Sequence, residues 1–497
     1  MKNCEKINRN QTMITSLDEM IEENSTVRVV DAYVRSLDVE KLGYHVHTNK
    51  VGRPAYDPHE MIGLFLYSYM SRVMSSRMLE KQTYINLEIM WLLNGSHPDH
   101  STIAAFRSEN AEALTNTFRD FTNICIDLGL IGKTIVAVDG TKIHANNNKK
   151  RNYSEKSLSR KIDNINEQIK KYFNEFDAND KNDSNLSKLE ARRTDYETML
   201  EKLKNSEETQ ISTTDPDSRL MDNKKGGLDV SYNIQATVDE KNSLIIDQYV
   251  INAPTDQHEL SRATERAQEI LSNKKLTVLA DKGYYNGEDI SKCFSIGARP
   301  IVSRQKASVR NGHYSTDDFV YDEETDSFTC PNKEILTKIS SEEAKTIVYA
   351  NKEACRKCPY KQNCFTQGKR IKYRKIIRDK NFKFMVKADK LFKANIKLYR
   401  RRQEMSEHVF GSIKRQLGFP QLNVRTKRKV SGEVSLLCLA YNFKRVINLI
   451  GNRELIHYLR VGIKPDLRLI MKISFKIPKL LQWMAIKLPN ILNYSTV

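Results

Sequence analysis

The chain has 497 residues, which is too many for a single hydrophobic core, so two to four domains are expected. Its 81 Lys and Arg residues outnumber 62 Asp and Glu, and the formal charge of +19 favours a polyanionic partner such as nucleic acid. A polar N-terminus, the lack of an apolar run near the ~18 residues of a membrane span, and only eight cysteines argue against membrane and disulfide-stapled secreted classes. We therefore expect a cytoplasmic protein.

Residues 1–128 are predicted to form an N-terminal all-α domain. Asp57-Pro58 is a typical helix start, apolar residues follow at helical spacing, and Asn94-Gly95 is a typical helix stop. Compact helical units in basic proteins often bind DNA, so DNA binding is the expected role. A plain packing module is the alternative.

Residues 129–303 are predicted to form an α/β core that a helical hairpin, 154–210, interrupts. The hairpin shows apolar residues in steps of four and three, which is typical of two packed helices. Four stretches read as strands of a mixed sheet: TIVAVDG, VSYNIQATVD, NSLIIDQYVI and KLTVLADKGY. A helix from about Asp256 to Ser272 is expected between the last two.

The C-terminal third divides into three segments by composition. Residues 304–380 are polar and carry cysteines, residues 381–455 are predicted to be mostly helical, and residues 456–497 form a basic tail. The tail mixes Lys and Arg with apolar residues. Contact with a membrane surface, internal packing and contact with DNA or another partner all remain open for it.

Two predicted strands each present a carboxylate where they leave the sheet. Asp139 follows TIVAV and Asp281 follows LTVLA, and each has a lysine close behind, Lys142 and Lys282. Each Asp alone suits a turn or a helix cap, but ligand sites in α/β sheets lie at strand ends. The pair therefore favours a Mg²⁺ site, because Mg²⁺ prefers oxygen ligands.

A third acid is expected in RRRQEMSEHVFGSIKRQLGF. On a helix, Glu407 and Lys414 lie along the border of the apolar side, about 10 Å apart along the axis. This spacing suits a metal-binding carboxylate and a phosphate-binding lysine, and three cations upstream, Arg400, Arg401 and Arg402, would add phosphate contacts. Glu404 is the competing acid, and an exposed helix with ordinary charge pairs is the alternative interpretation.

The motifs VAVDGTKI, ADKGYY and YRRRQEMSEHVFGSIKRQLGF, in this order, resemble the three acidic motifs of bacterial insertion-sequence transposases of the DDE class. The resemblance places the catalytic Asp, Asp and Glu on Asp139, Asp281 and Glu407. Lys414 fits the family's lysine after the Glu. The family's Tyr and Arg before the Glu are out of register, because positions 400 and 403 are Arg and Gln.

The resemblance implies a ribonuclease-H-like fold: a mixed sheet flanked by helices, with the first two acids on adjacent strands and the Glu on a later helix. It makes 129–303 and 381–455 the two parts of the catalytic core. It also implies two Mg²⁺ or Mn²⁺ ions, cleavage at terminal inverted repeats and joining of the freed 3′-OH to double-stranded target DNA. Pairing of two DNA ends implies a homodimer. A nuclease that does not join strands, and a DNA-binding derivative without catalysis, are the rival functions.

Two further groups are candidates for ligands. Cys355-x2-Cys358 with Cys364 behind it and Cys330 upstream suggests a structural Zn²⁺ site, and free thiols are the alternative. Asp256 and His258 follow a predicted strand and could line the metal site. A helix-capping Asp and a surface His are the favoured interpretation of this second pair.

Overall fold

A computed structural model of the chain describes most of the sequence. It covers residues 10, 12, 14–45, 55–175, 183–206, 208–223, 227–304, 312–340, 346–364, 373–419 and 421–464. The side chains at 174–175, 183–184, 223, 406–408 and 416 are outside this description. The tail beyond residue 464, for which three roles were left open, also lies outside the described residues.

The N-terminal part of the described chain is helical. Asp57 caps the third helix by accepting a hydrogen bond from the His59 backbone N–H at 2.9 Å, and Pro58 occupies the first turn. The predicted helix start at Asp57-Pro58 is therefore confirmed. The helices are α1 (Thr26–Ser36), α2 (Val39–Leu42), α3 (Pro58–Met70), α4 (Ser76–Ile85), α5 (Leu87–Leu92), α6 (His100–Glu109) and α7 (Ala111–Asp127).

The middle of the chain alternates strands and helices, with two long helices that pack against each other as an inserted hairpin. The elements are β1 (Ile135–His144), β2 (Asn152–Ser154), α8 (Glu155–Glu175), α9 (Asp183–Lys204), β3 (Gln210–Ser212), β4 (Arg219–Asn223), β5 (Gly227–Asp239), β6 (Ile245–Ile251), α10 (Leu260–Leu271), β7 (Thr277–Ala280), α11 (Gly287–Ser295) and β8 (Arg299–Val302).

The cysteine-bearing segment forms a second sheet, and helices follow it. The strands are antiparallel, in the spatial order β13-β12-β11-β10-β9. The elements are β9 (Val320–Asp322), β10 (Ser327–Thr329), β11 (Ile335–Lys338), β12 (Thr346–Ala350), α12 (Lys352–Lys357), α13 (Lys361–Cys364), β13 (Lys375–Asp379), α14 (Phe382–Ala394), α15 (Ile396–Gly411), α16 (Lys427–Ile450) and α17 (Asn452–Val461).

The central sheet is mixed, as the sequence predicts. β1 lies in its middle, antiparallel to β5 and parallel to β7, and β8 extends the parallel side. β4 and β6 both pair with β5 on its other edge. β6 and most of β5 and β7 are buried, whereas β1 is buried at Val136, Ala137, Val138 and Ile143 and half-buried at its other residues.

Two predicted boundaries are wrong. β1 does not end at Asp139, because pairing with β5 continues from Val136 to His144 and carries the strand through Gly140. The helix expected from Asp256 begins at Leu260, where Glu259 is the N-cap residue. In the first case pairing with β5 overrides the turn signal of Gly140. In the second, hydrogen bonds to Asn233 and Gln235 hold the Asp256 side chain away from the helix start.

The N-terminal helices and the α/β core share one hydrophobic core. α16 packs against α7 so closely that a Cβ at Gly432 would lie 2.6 Å from the Ala111 Cα. Within the described residues no single helix meets the length and hydropathy expected of a membrane span, although α16 and α17 meet them jointly across a 106° bend. Most of α16 is buried in this core, which accounts for its apolar sequence.

Candidate functional site

Asp139 and Asp281 lie next to each other at the same edge of two neighbouring strands. The last parallel pair between β1 and β7 is Val138 with Ala280, so each Asp is the next residue on its strand. Both side chains are half-buried. The two acids are therefore neighbours, as the sequence predicts, although β1 continues beyond Asp139 and only its parallel pairing with β7 stops there.

The two acids are fixed by local backbone contacts. Asp139 Oδ1 accepts a hydrogen bond from the Gly140 N–H at 2.9 Å. Asp281 Oδ1 accepts one from the Gly283 N–H at 2.7 Å and so caps the short 3-10 turn Lys282–Tyr284.

Helix α15 crosses the face of the sheet to which Asp139 points. Side chains alternate along a strand, so Ala137 and Asp139 share one face of β1. Ala137 packs in one buried cluster with Leu279 and with Met405 of α15. The helix that carries the predicted third acid therefore lies over the two strands that carry the first two.

Glu407 belongs to α15, and its side chain lies outside the described residues. The competing acid Glu404 is exposed to solvent. Arg402, on the same helix, is 8% exposed and places its Nη1 3.7 Å from Asp139 Oδ2. Helix α15 therefore contacts the Asp139 carboxylate by an ion pair from Arg402.

Arg402 also forms a pair with Tyr399 that the sequence reasoning missed. Its guanidinium lies 5.7 Å from the centre of the Tyr399 ring, and the Tyr399 hydroxyl donates to Ser303 Oγ at 2.8 Å, just beyond β8. A Tyr-Arg pair with the same spacing therefore does precede Glu407. It lies at positions 399 and 402, one residue before positions 400 and 403, which were compared with the family pattern.

The other predicted phosphate-binding cations occupy varied environments. Arg400 and Arg401 are exposed, and Arg401 pairs with Glu240. Lys282 is exposed directly after Asp281. The two remaining cations contact backbone: Lys142 Nζ donates to the Asp222 carbonyl at 2.7 Å, and Lys414 Nζ donates to the Lys142 carbonyl at 2.9 Å. Lys414 thus reaches β1 three residues beyond Asp139.

Asp256 lies against the site, and the favoured interpretation of it as a helix cap is wrong. Its Oδ1 accepts hydrogen bonds from Asn233 Nδ2 at 2.8 Å and from Gln235 Nε2 at 2.7 Å. Both amides are on β5, and Gln235 is the direct partner of Gly140 on β1. His258 is exposed, as expected for a surface residue.

Two glycines make room for Asp256. A Cβ at Gly140 would lie 2.4 Å from Asp256 Oδ1. A Cβ at Gly283 would lie 2.9 Å from Asp281 Oδ1 and 3.5 Å from Asp256 Oδ2. Asp256 and Asp281 therefore border the same small space at Gly283, which a side chain there would fill.

These oxygen groups suit a hard divalent cation. Asp281 and Asp256 border Gly283, Asp139 lies on the neighbouring strand, and carboxylate oxygens are the ligands that such a cation prefers. As the side chains stand, no three Asp, Glu, His or Cys residues in the described part of the chain are close enough to hold a metal ion together. Two members of the predicted triad, Asp139 and Asp281, belong to that part of the chain, and the Glu407 side chain lies outside it.

The four predicted zinc ligands line one small cavity in the second sheet region. Cys330, Cys355, Cys358 and Cys364 border a space of about 30 Å³, close to the volume of one water molecule. The seven described cysteines are all free. Burial raises the pKa of the Cys355 and Cys364 thiols, and the neighbouring thiols of the cluster raise it further.

Two family models match the chain. Residues 329–447 match the model described as the transposase DDE domain, and residues 15–109 match the model described as a transposase domain, DUF772. The chain is also similar to the solved structure titled "Cryo-EM structure of piggyBac transposase synaptic complex with hairpin DNA", with 8% identity and a TM-score of 0.29. That similarity covers 95% of this chain and 84% of the other. No curated protein matches the chain.

Proposed function

We propose that this chain, a member of the insertion-sequence DDE transposase family, cuts DNA at the terminal inverted repeats of its element and joins the freed ends to target DNA. The observation that carries the proposal is the placement of Asp139 and Asp281 on neighbouring parallel strands, beneath the helix that contains Glu407. We assign the central sheet and its helices to a ribonuclease-H-like catalytic core on the same grounds.

Asp139, Asp281 and Glu407 would hold two Mg²⁺ or Mn²⁺ ions. Such ions, when bound, increase the acidity of an attacking water or 3′-OH and stabilise the leaving oxygen of the phosphodiester. The chain itself supplies the rigid carboxylates. Asp139 sits inside a paired strand and Asp281 caps a turn, so the backbone at both positions is held by regular hydrogen bonding.

Arg402 contacts Asp139 Oδ2, whereas the Gly140 N–H donates to Oδ1, so the two oxygens of the carboxylate are held by different groups. The Arg402 guanidinium is buried and pairs with Asp139, so the two side chains hold each other in place. Because Tyr399 supports the guanidinium and is itself anchored on Ser303, the pair ties α15 to the end of β8. This arrangement would keep the helix in register with the two strands.

Cations around the acids would contact the DNA backbone. Lys282 follows Asp281 directly, and Arg400 and Arg401 are exposed on α15. Lys414 lies beside β1 beyond Asp139, where the strand on one side of the scissile phosphate would run. We assign phosphate contacts to these residues and to Lys142, while the N-terminal helices recognise the element ends in a cytoplasmic homodimer.

We further propose a structural Zn²⁺ held by the cysteine cluster. The four thiols border one cavity and come from a strand end and two short helices, so a shared ion would tie three segments together. Thiols whose pKa is raised by burial stay neutral without metal, and binding would release their protons. The role is structural because four cysteines leave no open position for a substrate.

Strand cleavage and joining on a supercoiled target tests the enzymatic proposal. The donor is a labelled DNA fragment with the sequences that bracket the gene, and the variants are Asp139→Asn and the control Asp229→Asn. We expect the D139N protein to bind the donor ends normally but to lose cleavage and joining by at least about 10³-fold. Unchanged cleavage by D139N would remove Asp139 from the active site.

The same assay separates the rival functions. Cleavage by the wild-type protein without any joined product identifies a nuclease. Binding without either reaction in Mg²⁺ or Mn²⁺ identifies a DNA-binding derivative. Substitution of Glu407 by Gln, with Glu404→Gln as its matched control on the same helix, tests which acid of α15 acts with Asp139.

A further inference from the structure

We propose that Asp256 is a positioning residue of the metal centre, whose negative charge increases the affinity of the centre for divalent cations. This inference rests on the proposed function of the site. Asp256 is not one of the three acids assigned to metal binding, and its part is to add negative charge beside them.

Asp256 is held by hydrogen bonds from two buried amide side chains. Tyr284, which is fully buried, donates to Gln235 Oε1, and this contact turns the Gln235 amide nitrogen towards Asp256. Asn233, also buried, donates to the same carboxylate oxygen. The partners of Asp256 in this network are amides and not cations, so the network orients the carboxylate without neutralising it.

The network also gives Asp256 a fixed place relative to the strand ends. Gln235 and Gly140 are paired across β5 and β1, so Asp256 approaches β1 on the face opposite to the Asp139 side chain. Its second oxygen lies on the side of Gly283, next to Asp281. Glycine at 140 and 283 lets the carboxylate approach the backbone from which Asp139 and Asp281 project.

The Tyr284 hydroxyl is fully buried and donates to Gln235, the residue that in turn donates to Asp256. Burial raises the pKa of Tyr284, and the charges of Asp256, Asp139 and Asp281 raise it further, in that order. Tyr284 therefore stays protonated and remains a donor to Gln235. Because Asp256 and Asp281 border the same space at Gly283, the charge of Asp256 adds to the attraction that Asp281 exerts on a divalent cation, and outer groups of a metal site typically change its affinity 10- to 100-fold.

Direct Mn²⁺ binding to the full-length protein, followed by the EPR signal of free Mn²⁺, tests the inference. Asp256→Asn keeps the shape and an acceptor oxygen and removes the charge. We expect it to weaken Mn²⁺ binding by about 10- to 100-fold. The matched control Asp229→Asn removes a carboxylate from β5 near His144 and should bind Mn²⁺ as the wild type does.

A second variant guards against a simple folding defect. Tyr284→Phe removes only the hydroxyl that orients Gln235, so it should weaken Mn²⁺ binding in the same direction as D256N but less. In strand cleavage, higher Mg²⁺ should restore the D256N protein and should not restore D139N. A residue with only a packing role would lower thermal stability without this dependence on metal concentration.

The outcomes distinguish this inference from the proposed function. Normal Mn²⁺ binding by D256N and Y284F, with weak binding by D139N, overturns the role of Asp256 and leaves the catalytic assignment standing. Normal binding by all three variants overturns the metal centre itself, and the role of Asp256 with it. Weak binding by D256N and D139N, with normal binding by D229N, supports both.

Discussion

Gly140→Ala is the substitution whose effect follows most directly from the geometry of the site. The new Cβ would lie 2.4 Å from Asp256 Oδ1 and 2.7 Å from Gln235 Nε2, whereas ordinary contacts begin at 3.4 Å. Asp256 must therefore move by about 1 Å, which is the difference between these distances. Such a shift breaks its two amide hydrogen bonds, each worth about 0.5–1.5 kcal/mol, and overpacking adds about 1–3 kcal/mol.

We expect G140A to destabilise the protein by about 2–6 kcal/mol and to weaken Mn²⁺ binding about as much as D256N does. Thermal unfolding and the EPR titration measure the two effects. Gly411→Ala is the control, because a Cβ at that helical position meets no atom within 4 Å. It should be neutral or more stable by up to about 1 kcal/mol.

A double variant shows whether the clash with Asp256 causes the loss. Removing the Asp256 side chain takes away the oxygen at 2.4 Å and the carbon at 3.0 Å from the new Cβ. G140A/D256A should therefore be more stable than the sum of the single changes predicts, by about 0.5–3 kcal/mol. Additive effects, or a G140A protein with normal stability and Mn²⁺ binding, would refute the proposed contact between strand and carboxylate.

Three further predictions concern other parts of the chain. Glu407→Gln should reduce strand cleavage by at least about 10³-fold and Glu404→Gln by less than about threefold, measured on the labelled donor; the reverse order would assign the third acid to Glu404. Cys355→Ser should lower the zinc content of the purified chain from one ion to less than half and lower its Tm; equal zinc by atomic absorption contradicts the site. Glu433→Gln leaves the buried Arg107 charge without its anion, so the protein should lose about 3–5 kcal/mol of stability in thermal unfolding, and a Tm within 1 °C of the wild type would contradict this.

The relation between Asp139 and Asp281 can be predicted from the sequence because strand periodicity and parallel pairing leave few alternatives. Two apolar runs that each end on Asp will present both acids at one edge if the strands are neighbours and parallel, and they are. The boundary at Asp139 fails for a related reason. Gly140 reads as the end of a strand, but hydrogen bonding to β5 continues through it.

The place of Asp256 could not be predicted from the local sequence. APTDQHEL has the composition of a helix start, and capping by an Asp is common there. The decisive partners, Asn233 and Gln235, lie on a strand that precedes it by about twenty residues. One signal was available: Asn233 and Gln235 lie on a face of β5 whose other residues, Ser231, Thr237 and Asp239, are also polar and buried, and buried amides require partners.

The N-terminal helices are joined to the α/β core through Glu433 of α16. Glu433, fully buried on α16, pairs with Arg107 of α6 and accepts hydrogen bonds from the backbone N–H groups of Asn423 and Val424. The preceding residue, Leu422, donates its N–H to the His144 carbonyl at the end of β1.

A continuous set of contacts thus leads from the N-terminal helices, through α16 and this loop, to the strand that carries Asp139. Displacement of the N-terminal helices would require breaking a buried ion pair. DNA bound by those helices would therefore be held at a fixed distance from the carboxylates, and the position of the cut would follow from the packing of the protein rather than from a flexible linker.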